Sequence, residues 1–379
     1  MINTSWFRLL RLFSAGFLLL GLFACASGDS HKPLPADLGA NPALIGIKGV
    51  WNSQIGPVDF PLQLKAVKTQ VALASSDGNV LVLDANSGAA VWRANVGPGI
   101  AAGVGFDGRF AALVTHRNEL IVLELGKELW RARLTGQVFT APLVAGERVF
   151  VLAADRTISA FDALTGRKLW QNQRPGEALV LRQAGVLLAV NNTLVAGVSG
   201  RLVGLNPALG SPLWDVAIAT PRGTNDIERL VDLLAGVRRS ADVVCARAFQ
   251  SAVACVDAGK GKLLWRQNAI GSVGVQGDGQ SLFGVESDGR VLAWRAGSGE
   301  QIWESDRLRF RQLSAPLALG RSVVMGDNTG LVHLMSREDG TLLNRLTTDG
   351  SAVDVTPVLV DNTLVVVTRK GGIFGFRPE

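Results

Sequence analysis

Tyrosine is absent from this 379-residue chain, and histidine, cysteine and methionine occur three times each. Without tyrosine, one common proton donor drops out of any catalytic scheme. The three histidines, His31 and, within separate strand-like runs, His116 and His333, show no metal-ligand spacing, so no zinc site is expected. No nucleophile elbow, P-loop or dinucleotide fingerprint stands in the strand–turn–helix context each requires. Asp and Glu are scattered and fall mostly at turn positions, where capping backbone N–H groups is their ordinary use. No catalytic residue is therefore assigned. Charge is also scarce: 18% of residues are charged, with a net charge of +6 that falls by two when Arg8 and Arg11 leave with the leader described below. No Lys/Arg run with interleaved aromatics appears, which argues against nucleic acid as a partner.

Long apolar runs are missing too. The uncharged stretch Leu12 to Ala24 follows Arg8 and Arg11 and is too short to span a bilayer stably. It reads as a secretory signal. It closes on "LFAC", Leu22 to Cys25, which resembles the bacterial lipoprotein box. That resemblance makes Cys25 the lipidated first residue of the mature chain, and Ala26 in place of Asp favours the outer membrane. Residues 26–48, rich in Pro, Gly, Ser and Ala, read as a flexible tether between lipid and domain.

What the chain does have is a repeat. A glycine is followed four residues later by a tryptophan at Gly88/Trp92, Gly126/Trp130, Gly166/Trp170, Gly210/Trp214, Gly261/Trp265 and Gly299/Trp303; a seventh pair, Gly340/Asn344, ends in a substitute. Forms such as "DANSGAAVW" and "DALTGRKLW" recur at about 40 residues, with several β-rich runs in each interval. This is the pattern of a β-propeller. In 141–170, turn signals at Gly146–Glu147, Asp155–Arg156 and "ALTG" separate four antiparallel strands, with Gly166 supplying a positive φ, Asp162 capping the turn and Trp170 wedged between blades.

Trp51 precedes Trp92 by one period but has no strands of its own before it, while the C-terminus has three strands and no fourth. An N-terminal strand around Val50–Ile55 should therefore complete the last of eight blades and leave no open edge at the seam. The expectation is an all-β, eight-bladed propeller over 49–379. Repeat two, "LELGKELW", is shortened, and the interval to Trp265 is about ten residues too long, with the surplus in Thr220 to Ser240. Extra length in a repeat goes to loops on one face. Cys245 and Cys255 flank a hairpin turn. A two-residue turn at Gln250–Ser251 sets Cys245 opposite Val256; a bulge or a three-residue loop would set it opposite Cys255.

The Asp-x-x-x-Gly-x-x-x-Trp repeat resembles that of quinoprotein alcohol dehydrogenases, which are also eight-bladed. Their adjacent cysteines over the quinone and their Glu/Asn/Asp calcium set find no match here, so neither cofactor is expected. A quinoprotein-type dehydrogenase or other periplasmic small-ligand enzyme is the alternative reading. Lipobox, tether and blades without quinone residues together resemble the BamB family, the lipoprotein propellers of the outer-membrane β-barrel assembly machinery. Two segments sharpen the resemblance. "GEALVLR", 176–182, looks like the family's segment that docks on the POTRA domains of BamA, with Leu179, Leu181 and Arg182 at the matching positions. "TNDIERLVD", 224–232, is similar to an acidic stretch of the family; Asp232 matches its first acid, and the second falls at Leu234. The resemblance implies a non-catalytic scaffold on the periplasmic face of the outer membrane. It would bind BamA and the rest of that complex, and through exposed strand edges it could meet nascent outer-membrane proteins.

Overall fold

Runs of Val, Leu, Ile and Ala between Gly- and Asp-containing turns become the middle strands of each sheet. They are buried along nearly their whole length because neighbouring sheets cover both faces. The computed structural model describes residues 33–175, 179–221, 224–225 and 229–379. Cys25 and the leader lie outside the described residues. Residues 35–379 form eight four-stranded antiparallel sheets, each a blade, and no α-helix occurs among the described residues. Blade three shows the plan: strands Leu143–Ala145, Arg148–Leu152, Thr157–Asp162 and Lys168–Gln173 follow one another from the inner to the outer side. Its outermost strand alternates between exposed and half-buried residues, as a strand with one covered face should.

The turn chemistry is as the repeat implies. Asp162 Oδ1 accepts the backbone N–H groups of Leu164 and Thr165, at 3.1 and 2.8 Å, and the Thr165 hydroxyl at 2.8 Å. Gly166 has φ +72°, and a Cβ there would stand 2.7 Å from the ring of Trp130. The tryptophan of one blade thus lies on the glycine turn of the next. Trp130 Nε1 donates to the Ala163 carbonyl at 2.8 Å, and Trp51, Trp170, Trp265 and Trp303 make the same bond to the blade that follows. Each outer strand also carries a one-residue bulge immediately before its tryptophan or Asn344. The bulged residue is always aliphatic, from Val50 in blade eight to Leu343 in blade seven.

The ring closes with its first strand. Ile47–Gln54 pairs antiparallel with Gly372–Pro378, Ile47 opposite Pro378 and Gln54 opposite Gly372. The strand starts three residues earlier than the sequence suggested. In repeat two, Leu125 and Gly126 form a two-residue turn with φ of +49° and +81°, which leaves no longer loop for an Asp to cap.

Four expectations change. The cysteine hairpin has a three-residue loop, with Ala248 opposite Ala252 and Gln250 at φ +45°, so the register moves by one. Cys245 then faces Cys255, and the two form a disulfide. The surplus at 220–240 is loop only in its first part, since Leu233–Ser240 is the inner strand of blade five. His116 stands in a turn rather than a strand.

The fourth change concerns the expected tether, which is attached from Ala36 onward. Ala36 N–H donates to Arg309 O, and Arg311 Nη1 returns a bond to Ala36 O at 3.0 Å. Leu38 packs against the cluster around Trp303 and Leu308. Arg345 Nη2 reaches Gly39 O, and Leu44 N–H donates to Leu343 O at 2.7 Å. This strap accounts for the missing seventh tryptophan. Asn344 Nδ2 donates to Ile45 O at 2.6 Å, the bond a tryptophan Nε1 makes elsewhere, while its Oδ1 accepts from Asn41.

Candidate docking site

A chain leaving the outer strand of one blade must cross to the inner strand of the next. Two such crossovers, 174–186 between blades three and four and 218–232 between blades four and five, carry the residues singled out from sequence. Equivalent crossovers of adjacent blades run side by side, and these two are joined. Leu181 N–H donates to Asp232 Oδ2 at 2.7 Å. Ala235 N–H donates to Ala184 O at 2.8 Å, Gly185 bridges Leu234 in antiparallel fashion, and Gly185 N–H donates to Thr140 Oγ1 at 2.9 Å.

Leu179 is 43% exposed and Leu181 is half-buried; neither belongs to a strand. Arg182 is exposed, with its guanidinium 5.7 Å from the centre of the Phe139 ring, within cation–π range. Gly176 to Ala178 and Asp226 to Glu228 lie outside the described residues. The structure therefore brings Leu181 and Asp232 into direct contact and sets Arg182 against blade three. Leu234, where the resemblance leads one to expect a second acid, is 2% exposed and belongs to the inner strand of blade five.

Between the crossovers lies a cleft of about 60 Å³, lined among others by Phe139, Thr140, Arg156, Leu181, Ser199 and Asp232. Burial pushes the Asp232 carboxyl above its ordinary value, opposed by the Leu181 N–H and the positive charge of Arg156. Arg156 Nε donates to Ser199 Oγ at 2.7 Å, and its Nη2 is buried with no partner among the described residues. Sequence reading passed over Arg156 and Phe139. Arg156 was legible only as half of a hairpin turn, and Phe139 belongs to no repeat position. An acid raised by burial, an incompletely paired guanidinium and exposed aliphatic groups at the rim suit recognition of another protein's surface. Among the described residues, no group of three or more His, Cys, Asp or Glu could hold a metal ion.

Comparison with known proteins places this geometry in a family. The family described as "Outer membrane protein assembly factor BamB" matches residues 76–305. A protein of that name from Burkholderia pseudomallei (strain K96243) is 36% identical over 94% of this chain and 94% of its own. The crystal structure of BamB from Moraxella catarrhalis superposes with a TM-score of 0.80 at 23% identity, covering 87% of this chain and 99% of that one. Quinohemoprotein alcohol dehydrogenase from Comamonas testosteroni shares the propeller, with a TM-score of 0.65 at 14% identity over 89% of this chain and 78% of that one. With a family match over more than half of its length and such a relative along nearly all of it, the chain belongs to the BamB family of outer membrane protein assembly factors.

Proposed function

We propose that the protein is a non-catalytic scaffold of outer-membrane barrel assembly, held by lipid at Cys25 on the periplasmic face of the outer membrane and docked on the POTRA domains of BamA. The observation that carries the docking surface is the bond from Leu181 N–H to the Asp232 carboxylate. It ties two crossovers into one platform and leaves Leu179 and Arg182 outward beside the cleft. Apolar anchors with charged groups around them are the usual make-up of an energetically dominant interface patch. The enzyme alternative rests on the shared propeller, and a shared fold does not carry a shared activity.

The test is binding of the full mature chain to isolated POTRA domains. Leu181→Ala combined with Arg182→Glu should weaken binding at least about tenfold, or about 1.4 kcal/mol. Thermal melting should stay with the parent, because both side chains lie outside the blades' strands. Unchanged binding would move the docking surface elsewhere.

A further inference from the structure

The outermost strand of every blade ends its sheet, so one side of its backbone is open to further pairing. A bulge leaves one residue out of the ladder and re-aims its side chain. Here the bulged residue before the tryptophan is an exposed aliphatic group in most blades: Leu213 is 52% exposed, Leu264 44% and Ile302 41%. Blade seven differs. Its bulged residue, Leu343, is half-buried, as Leu169 is in blade three, but here the strap lies along the edge, antiparallel to Leu342–Thr347. Leu44 N–H bonds the Leu343 carbonyl, the Asn41 side chain donates to Arg345 O at 3.1 Å, and Arg345 holds Gly39 O. Among the described residues, Leu343 is the only bulged position whose carbonyl takes a backbone N–H from outside its own blade. The protein thus carries one bound example of a chain segment seated on a blade edge at its bulge.

We propose that the corresponding edge of blade five, Lys262–Asn268, is a docking edge for an extended, apolar-rich segment of an unfolded polypeptide, such as a strand of a barrel protein before it folds. The proposal rests on the scaffold reading and names the site and seating of its client. Blade five is the best furnished of the open edges. Leu263 and Leu264 are both exposed, Ile270 follows at 54% exposure, and Lys262 and Arg266 favour a neutral or acidic segment. Main-chain bonding along the edge would supply affinity for any extended chain, and the aliphatic bulge would select apolar side chains.

The probe is a short fluorescein-labelled peptide of alternating valine and threonine, added to the full mature chain. With p-benzoylphenylalanine placed at position 264, light should crosslink the peptide, and unlabelled peptide should compete. The same group at position 260, in the exposed turn of the same blade, should give background only. Leu264→Asp should lower peptide affinity at least about fivefold with melting unchanged. If that variant melts lower, Leu264→Thr is measured in its place, with loss of affinity again expected. Equal crosslinking at both positions, or unchanged affinity in the folded variant, overturns the proposal. POTRA binding separates the two readings. Leu264→Asp should keep it, whereas Leu181→Ala with Arg182→Glu should lose it and keep the peptide. Loss of both ligands from Leu264→Asp would merge the edge with the docking surface and overturn a separate client site.

Discussion

Asp232 accepts the Leu181 N–H while half removed from water, and burial raises its carboxyl above the ordinary value. A carboxyl so raised favours the folded state while protonated, and that contribution is lost as pH rises through its folded value. At neutral pH its charge is therefore a cost to the free protein, of the kind kept for a partner. Asp232→Asn keeps an oxygen for the Leu181 N–H and removes the charge. It should melt at pH 7 no lower than the parent and bind POTRA domains more weakly. A clear drop in melting would make the charge structural instead. His333 has the opposite lesson. It is 1% exposed, and burial pushes its imidazole below the ordinary histidine value even though Nε2 donates to Asp327 at 2.9 Å. Arg311 and Arg345 add to the lowering. The folded protein thus holds His333 neutral where the unfolded chain takes a proton. Its contribution is present above the unfolded value near pH 6.5 and fades as pH falls below it, by at most about 1.4 kcal/mol per pH unit. Asp327, held far below the usual carboxylate range, stays charged throughout that window. Urea midpoints at pH 7.5 and 5.5 should fall for the parent and fall less for His333→Gln.

The elements were legible because their signals are local and repeated. A glycine, a capping Asp and a tryptophan recur at fixed offsets, so each blade announces itself many times over. What escaped depended on a single residue or on contacts far along the chain. One extra loop residue at Phe249–Ser251 decides whether Cys245 meets Val256 or Cys255. Asn344 looks like a lost tryptophan until the strap, some 300 residues away in sequence, is seen filling its place. The docking residues came from family resemblance; their meeting across two crossovers followed from blade geometry, but Arg156 and Phe139 left no pattern to read. Closure offers the sharpest test at this scale. Trp51 packs on Gly88 and donates to Ala85 O at 2.9 Å, coupling blade eight to blade one. Trp51→Ala should cost about 2–4 kcal/mol, the range for truncating a large packed aromatic that is not fully buried. Equilibrium urea unfolding would show it, and a variant as stable as the parent would remove the wedge from the account of closure.

At the scale of the whole molecule, the proposed address rests on one atom, the sulfur of Cys25. Cys25→Ser should move the protein from the membrane fraction to the soluble periplasm while its propeller folds as before. A variant that stays membrane-bound and processed as the parent would end the lipoprotein proposal. The pairing of Ile47–Gln54 with Gly372–Pro378 has a consequence in time as well as in space. Its two partners are more than 300 residues apart in sequence, and closing so long a loop is slow because chain entropy opposes it. A chain delivered from its N-terminus presents its closing strand first and must wait for the last residues before that strand has a mate. Until then two sheet edges stand open, and in that interval the protein is itself at risk of aggregation.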